Sequence, residues 1–94
     1  MEKFHPPLYT QVNVVYGPGI EKADTTVPVW VLRDDSGNHA LTDGNHRAYR
    51  AYLDGNLDLL PRRVIGTFPG DVSQDPDYRP ISALRVRQTS KINL

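Results

Sequence analysis

Leu41-Thr42-Asp43-Gly44-Asn45-His46-Arg47-Ala48-Tyr49-Arg50-Ala51-Tyr52-Leu53-Asp54-Gly55 is the stretch that decides how this chain folds. Extended residues run into a tight turn at Asp43-Gly44. A helix of about ten residues follows, stopped by Gly55 at the C′ position, where a residue without Cβ is favoured. At about 100° per residue, Ala48, Tyr49, Ala51, Tyr52 and Leu53 share one apolar arc, with His46, Arg47, Arg50 and Asp54 opposite. The helix is therefore expected to bury the first arc and show the second. Arg50 and Asp54, one turn apart, are placed to pair.

The chemistry is concentrated in the first turn. The N–H groups of a helix N-terminus, a glycine that lets the backbone come close, and a guanidinium together suit an anion, most naturally a phosphate. Gly44 supplies either the positive φ of a tight turn or the space for that anion. Arg47 is either a solvated side chain on the exposed arc or a ligand. A cation in a first turn opposes the helix dipole unless an anion lies between it and the amides. Asn45 is expected to cap the helix through its side-chain oxygen and belongs to the same anion-binding turn. His46 has three roles open to it: binding a phosphate oxygen, general acid or base catalysis, or a hydrogen bond to a neighbouring loop. Asp43 either caps the turn or holds Mg²⁺ on a nucleotide, a metal that takes one or two carboxylates plus phosphates. A transition-metal site from His39, Asp43 and His46 is not expected, since their spacing across a turn matches no ligand motif.

Asp43-Gly44-Asn45-His46-Arg47, followed by an alanine-containing helix that ends at Gly55, resembles the Asp-Gly-His-His-Arg type of motif in the ParB and sulfiredoxin superfamily. That superfamily includes chromosome-partitioning ParB N-terminal domains, sulfiredoxins and free serine kinases. The likeness extends back through Pro28-Val29-Trp30-Val31-Leu32-Arg33 and forward through Pro61-Arg62-Arg63-Val64-Ile65-Gly66. It implies a ParB N-terminal-like domain that binds a nucleotide, ATP or CTP, with Mg²⁺, at residues Asp43 to Arg47. Two positions depart from the family. Asn45 stands where sulfiredoxins carry the catalytic cysteine, and Asn45-His46 stand where ParB turns read Glu-Arg. The helix-turn-helix part that follows in ParB is not in this chain.

Ninety-four residues suit one small domain over 1–94, with the motif core over about 12–68 and a C-terminal loop and extension over 69–94. Eleven basic and eleven acidic side chains balance to zero, so no global footprint for nucleic acid or an anionic membrane exists, and strong nucleic-acid binding is not expected. The chain has no cysteine, which excludes disulfides, thiolate metal sites and thiol nucleophiles together. Met1 to Pro7 lacks the apolar core of a signal peptide, and no apolar run approaches a membrane span, so a cytoplasmic protein is expected.

Pro6 and Pro7 predict an extended arm up to Gln11 that packs Phe4, Leu8 or Tyr9 onto the body. Val12, Val14 and Tyr16 alternate as the buried face of a strand that ends at Gly17-Pro18-Gly19. A short helix over Ile20 to Thr26 is what the resemblance implies. Val27 to Arg33 reads as a strand covered on both faces, turning through Asp34 to Asn38 into a hairpin partner over His39 to Thr42. After the short connection Asn56 to Leu60, Arg62 to Phe68 reads as a strand closed by Pro69-Gly70. Gly70 to Pro80, aperiodic and with three aspartates, is either a surface loop or a flap that folds over the turn. Ile81 to Leu94 is a helix or a strand through Leu84 and Val86 that exposes Arg85, Arg87 and Lys91.

These readings combine into a single α/β (α+β) domain with a small mixed β-sheet. The expected function is binding of a phosphorylated small molecule or nucleotide at Asp43 to Arg47, with phosphoryl transfer or NTP hydrolysis by His46 and Asp43 if the chain is an enzyme. The alternative is a non-catalytic interaction or regulatory module, with a protein as partner.

Overall fold

The computed structural model describes residues 6–88. The fold is α+β, a mixed five-stranded sheet with two α-helices. Strands β1 (Leu8–Thr10), β3 (Val29–Asp34), β4 (His39–Asp43), β5 (Arg62–Phe68) and β6 (Arg79–Pro80) lie in the order β5-β3-β4-β1-β6. β3 runs antiparallel to β4 as the expected hairpin and parallel to β5, while β1 runs parallel to β4 and antiparallel to β6. A separate parallel ribbon joins β2 (Val14–Tyr16) to β7 (Arg85–Arg87). Helix α1 covers Gly17–Lys22 and α2 covers Asn45–Leu53.

α2 packs against β2, β3 and α1, and its Ala48, Tyr49 and Ala51 join Leu8, Val15, Val29, Val31, Leu41 and Ile81 in one buried cluster. Val15, Val29 and Val31 are wholly inaccessible, each worth about 1.5–3 kcal/mol of burial. The apolar arc of α2 is only partly covered. Tyr52 and Leu53 are 39% and 56% exposed, because Leu53 stands on the rim of an open groove with Ile20, Val86 and Gln88.

Four other segments depart from the sequence reading. The arm is not merely laid on the body: Leu8 to Thr10 enter the sheet as β1, the two prolines sitting just outside the paired residues. β2 buries Val15 rather than the Val12, Val14 and Tyr16 face, which apolar residues on both sides of the strand left undetermined. β3 is covered on one face, and Trp30 on the other is 46% exposed. α1 begins at Gly17 rather than Ile20, with Pro18 in its first turn, where a missing N–H costs nothing. Of the last segment, Arg85 to Arg87 form a strand and Leu84 is buried. Residues 89–94 with Lys91, and Phe4 in the arm, lie outside the described residues.

Gly70 to Pro80 is not structureless: its end, Arg79–Pro80, is strand β6 beside β1, and its start lies away from the turn. Its anchor is Asp34, only 5% exposed, which closes the hairpin and the following loop at once. Oδ1 accepts from the backbone N–H of Ser36 (2.9 Å) and Asn38 (2.7 Å), and Oδ2 accepts from Asn38 Nδ2 (3.1 Å) and the Val72 amide (2.8 Å). Burial opposes the charge on this carboxyl, but those four donors outweigh it and hold its pKa below the ordinary 3.8. Val72, held this way, is fully buried within a 3-10 turn, Val72–Gln74. Further along, Phe68 and Tyr78 meet edge to face at 5.3 Å. The start of the loop, Gly70 to Gln74, thus sits at the hairpin end of β4. Asp43 lies at the other end, roughly 13 Å away at about 3.3 Å per residue, so Asp71 is not placed to serve a metal at the turn.

Candidate functional site

Asp43, Gly44, Asn45, His46 and Arg47 form, with Val12 and Val14, the wall of a cleft of about 300 Å³. β4 delivers Asp43 to the cleft, and α2 starts inside it. The local cause is Gly44, whose backbone is left-handed (φ 106°) and whose missing side chain leaves room for Val29. A Cβ there would stand 2.5 Å from Val29 Cγ1, 2.9 Å from Val29 Cβ and 3.2 Å from Arg47 Nη2. The turn therefore demands glycine for conformation and for packing at the same time.

Asn45 does not cap the helix. Gly44 occupies the N-cap position and Asn45 is the first helical residue, so its side chain cannot turn back onto the amides ahead of it. Instead its Oδ1 accepts from the Thr10 hydroxyl at 2.5 Å, tying the cleft wall to the end of β1. No side chain among the described residues caps α2, which leaves its first-turn amides without a side-chain acceptor at the positive end of the helix dipole, in residues that line the cleft.

His46 takes the third of its open roles. Nε2 accepts the Tyr16 amide at 3.1 Å, the ring stacks on Tyr16 with centroids 6.2 Å apart, and Gly19 leaves the space the imidazole fills. This contact makes Nε2 the unprotonated nitrogen and leaves Nδ1 for any ligand. Arg47 is likewise engaged. Nη1 donates to the carbonyls of Pro28 (3.0 Å) and Val27 (3.4 Å), and Nη2 pairs with Asp43 Oδ2 at 3.3 Å. These acceptors supply, from within the chain, the negative charge that a first-turn cation requires. Its side chain is 21% exposed, so it is a lining group rather than the solvated one its helical position suggests, while the Asp43 side chain is 63% exposed. Arg50 pairs with Asp54 at 3.1 Å, as its spacing implies, and also donates to the Ile20 carbonyl of α1.

His39 does not join Asp43 and His46. It lies at the opposite end of β4, buried against Arg62. Sequence reasoning missed three supports of the site: Thr10, the Tyr16 amide, and Arg79, whose Nη1 donates to the Gln11 and Val12 carbonyls (2.9 Å to Val12) and so steadies the facing wall. None carried a local signal, because each contact spans 30 or more residues.

Among the described residues no helix is long and apolar enough to cross a membrane. Compared with protein-family models, curated proteins and solved structures, the chain has no match.

Proposed function

We propose that the cleft at the start of α2 binds the phosphate of a small molecule, a nucleotide such as ATP or CTP, with Mg²⁺ held by Asp43. One conjunction carries this reading: a glycine-led helix N-terminus without a side-chain cap opens into a cleft that also holds a guanidinium. The likeness of Asp43 to Arg47 to the ParB and sulfiredoxin motif supports the choice of a nucleotide. In this reading the first-turn amides would donate to phosphate oxygens, Asp43 would hold Mg²⁺, and Arg47, released from Asp43, would turn toward the anion. Phosphoryl transfer or hydrolysis at the cleft would draw on His46 Nδ1 for proton transfer. A cytoplasmic setting, where nucleotides are supplied, goes with this reading.

A thermal-shift series with nucleotides and phosphorylated metabolites, with and without Mg²⁺, tests the proposal, because a ligand of the folded state raises its melting temperature. Arg47→Ala is expected to weaken the best ligand at least about tenfold, since charge-assisted hydrogen bonds contribute roughly 1.5–3 kcal/mol each. Its cost to the fold is about 1 kcal/mol, from the lost bonds to Val27 and Pro28. Asp43→Asn is expected to abolish the Mg²⁺ dependence of binding. Full affinity in Arg47→Ala would overturn the phosphate site.

One observation favours the second reading, a non-catalytic interaction module: Asn45, His46 and Arg47 all have polar partners within the chain. In that case no nucleotide or phosphorylated metabolite shifts the melting temperature.

A further inference from the structure

At the end of β4 far from the cleft, His39 is 7% exposed, and its Nδ1 lies 3.0 Å from Arg62 Nη1. A guanidinium only donates, so Nδ1 is the acceptor and His39 is neutral, with its proton on Nε2. Arg62 uses the same grip to hold other parts of the chain. Nη1 donates to the Pro6 carbonyl at 2.6 Å and Nη2 to the Leu57 carbonyl at 3.2 Å, while the His39 amide donates to the Pro7 carbonyl at 2.8 Å. The Pro6–Pro7 segment is thus fastened to the sheet by this histidine and this arginine, directly ahead of β1.

A second proton on His39 would turn its acceptor into a donor and set two cations 3.0 Å apart in a buried place. The neighbouring charges do not offset this. Arg33 on β3 faces His39 with the same sign as Arg62. Asp34 is the carboxylate that favours the protonated ring, but it is already committed to four donors, and Asp58 acts on Arg62. Burial first, and then Arg62 and Arg33, hold the His39 pKa below the ordinary 6.5.

We infer that His39 and Arg62 form a pH-dependent latch, closed while His39 is neutral and opened by its protonation, which frees the Pro6–Pro7 segment and loosens its join to β4. Because the folded ring binds its proton less tightly than the unfolded one, the contact is at full strength above about pH 6.5 and weakens as pH falls toward the folded value.

The test is amide exchange on the full chain between pH 7.5 and 4.5, expressed as protection relative to the intrinsic rate at each pH. Protection of the His39 amide is expected to fall steadily as pH drops through this range, and to stay flat in His39→Gln, whose carbonyl still accepts from Arg62. His5→Gln is expected to keep the transition, which separates His39 from the histidine that precedes Pro6 in the sequence. Nuclear magnetic resonance titration of the wild-type His39 ring reads the same device without a variant: a midpoint below 6.5 is expected, moving up in Arg62→Gln. Constant protection across the range, an unchanged fall in His39→Gln, or a midpoint at or above 6.5 would overturn the latch.

Discussion

Replacing Asp34 with alanine is expected to lower the unfolding free energy by about 3 kcal/mol or more, since buried donors left without an acceptor cost roughly 1–3 kcal/mol each. In a domain of this size that corresponds to a melting temperature lower by roughly 12–24 °C. The four donors belong to three places, the hairpin turn, the Asn38 side chain and the Val72 amide, so the loss spreads beyond the hairpin. Asp34→Asn separates the contributions. Its one remaining oxygen can keep the Ser36 and Asn38 amides, but its NH₂ cannot accept from Val72, so the 3-10 turn at Val72–Gln74 is expected to lose exchange protection first. The pH dependence follows from the same carboxyl. Its folded pKa lies below 3.8, so its contribution is present above that value and is lost as pH falls through the folded pKa. Asp34→Asn is expected to flatten that part of the acid-unfolding profile. Denaturant melts of the three proteins at neutral and acid pH measure all of this, and an Asp34→Ala variant within 0.5 kcal/mol of wild type, the range of an ordinary surface change, would refute the anchor.

Gly44→Ala is expected to cost about 2–5 kcal/mol, combining a left-handed backbone that disfavours an L side chain by roughly 1–2 kcal/mol with overpacking against a buried side chain, roughly 1–3 kcal/mol. The methyl would meet Val29, which is wholly inaccessible and cannot move aside cheaply. Gly55→Ala is the informative comparison. That residue also has positive φ, 74°, but nothing lies within 4 Å of the Cβ it would gain, so it bears the conformational cost alone. The difference between the two variants, about 1–3 kcal/mol on the overpacking scale, isolates the packing against Val29. Equal destabilisation would show that Gly44 serves conformation only. Binding at the cleft should fail in Gly44→Ala and persist in Gly55→Ala.

The amino-acid sequence by itself determined the local elements whose signals are short in range. Apolar spacing and Gly55 set α2, the Asp34 to Asn38 cluster set the hairpin, and β-branched residues between Pro61 and Pro69 set β5, with the α+β class following from their succession. It also placed five candidate site residues on one turn, and they do line one cleft. Tertiary structure alone decided what those side chains touch. Arg47 has the same helical position whether it faces solvent, a ligand or the carbonyls of Val27 and Pro28, and only the placement of β3 beside α2 selects among them. Val15, rather than Val14, became core because the strand has apolar residues on both faces and the packed helix takes one of them. Asp34 and Arg62 look like ordinary turn and strand charges until the fold brings Val72 and Pro6 to them. Periodicity and turn chemistry act over a few residues, whereas these partners lie 38 and 56 residues away, a proximity that only burial of the shared core creates.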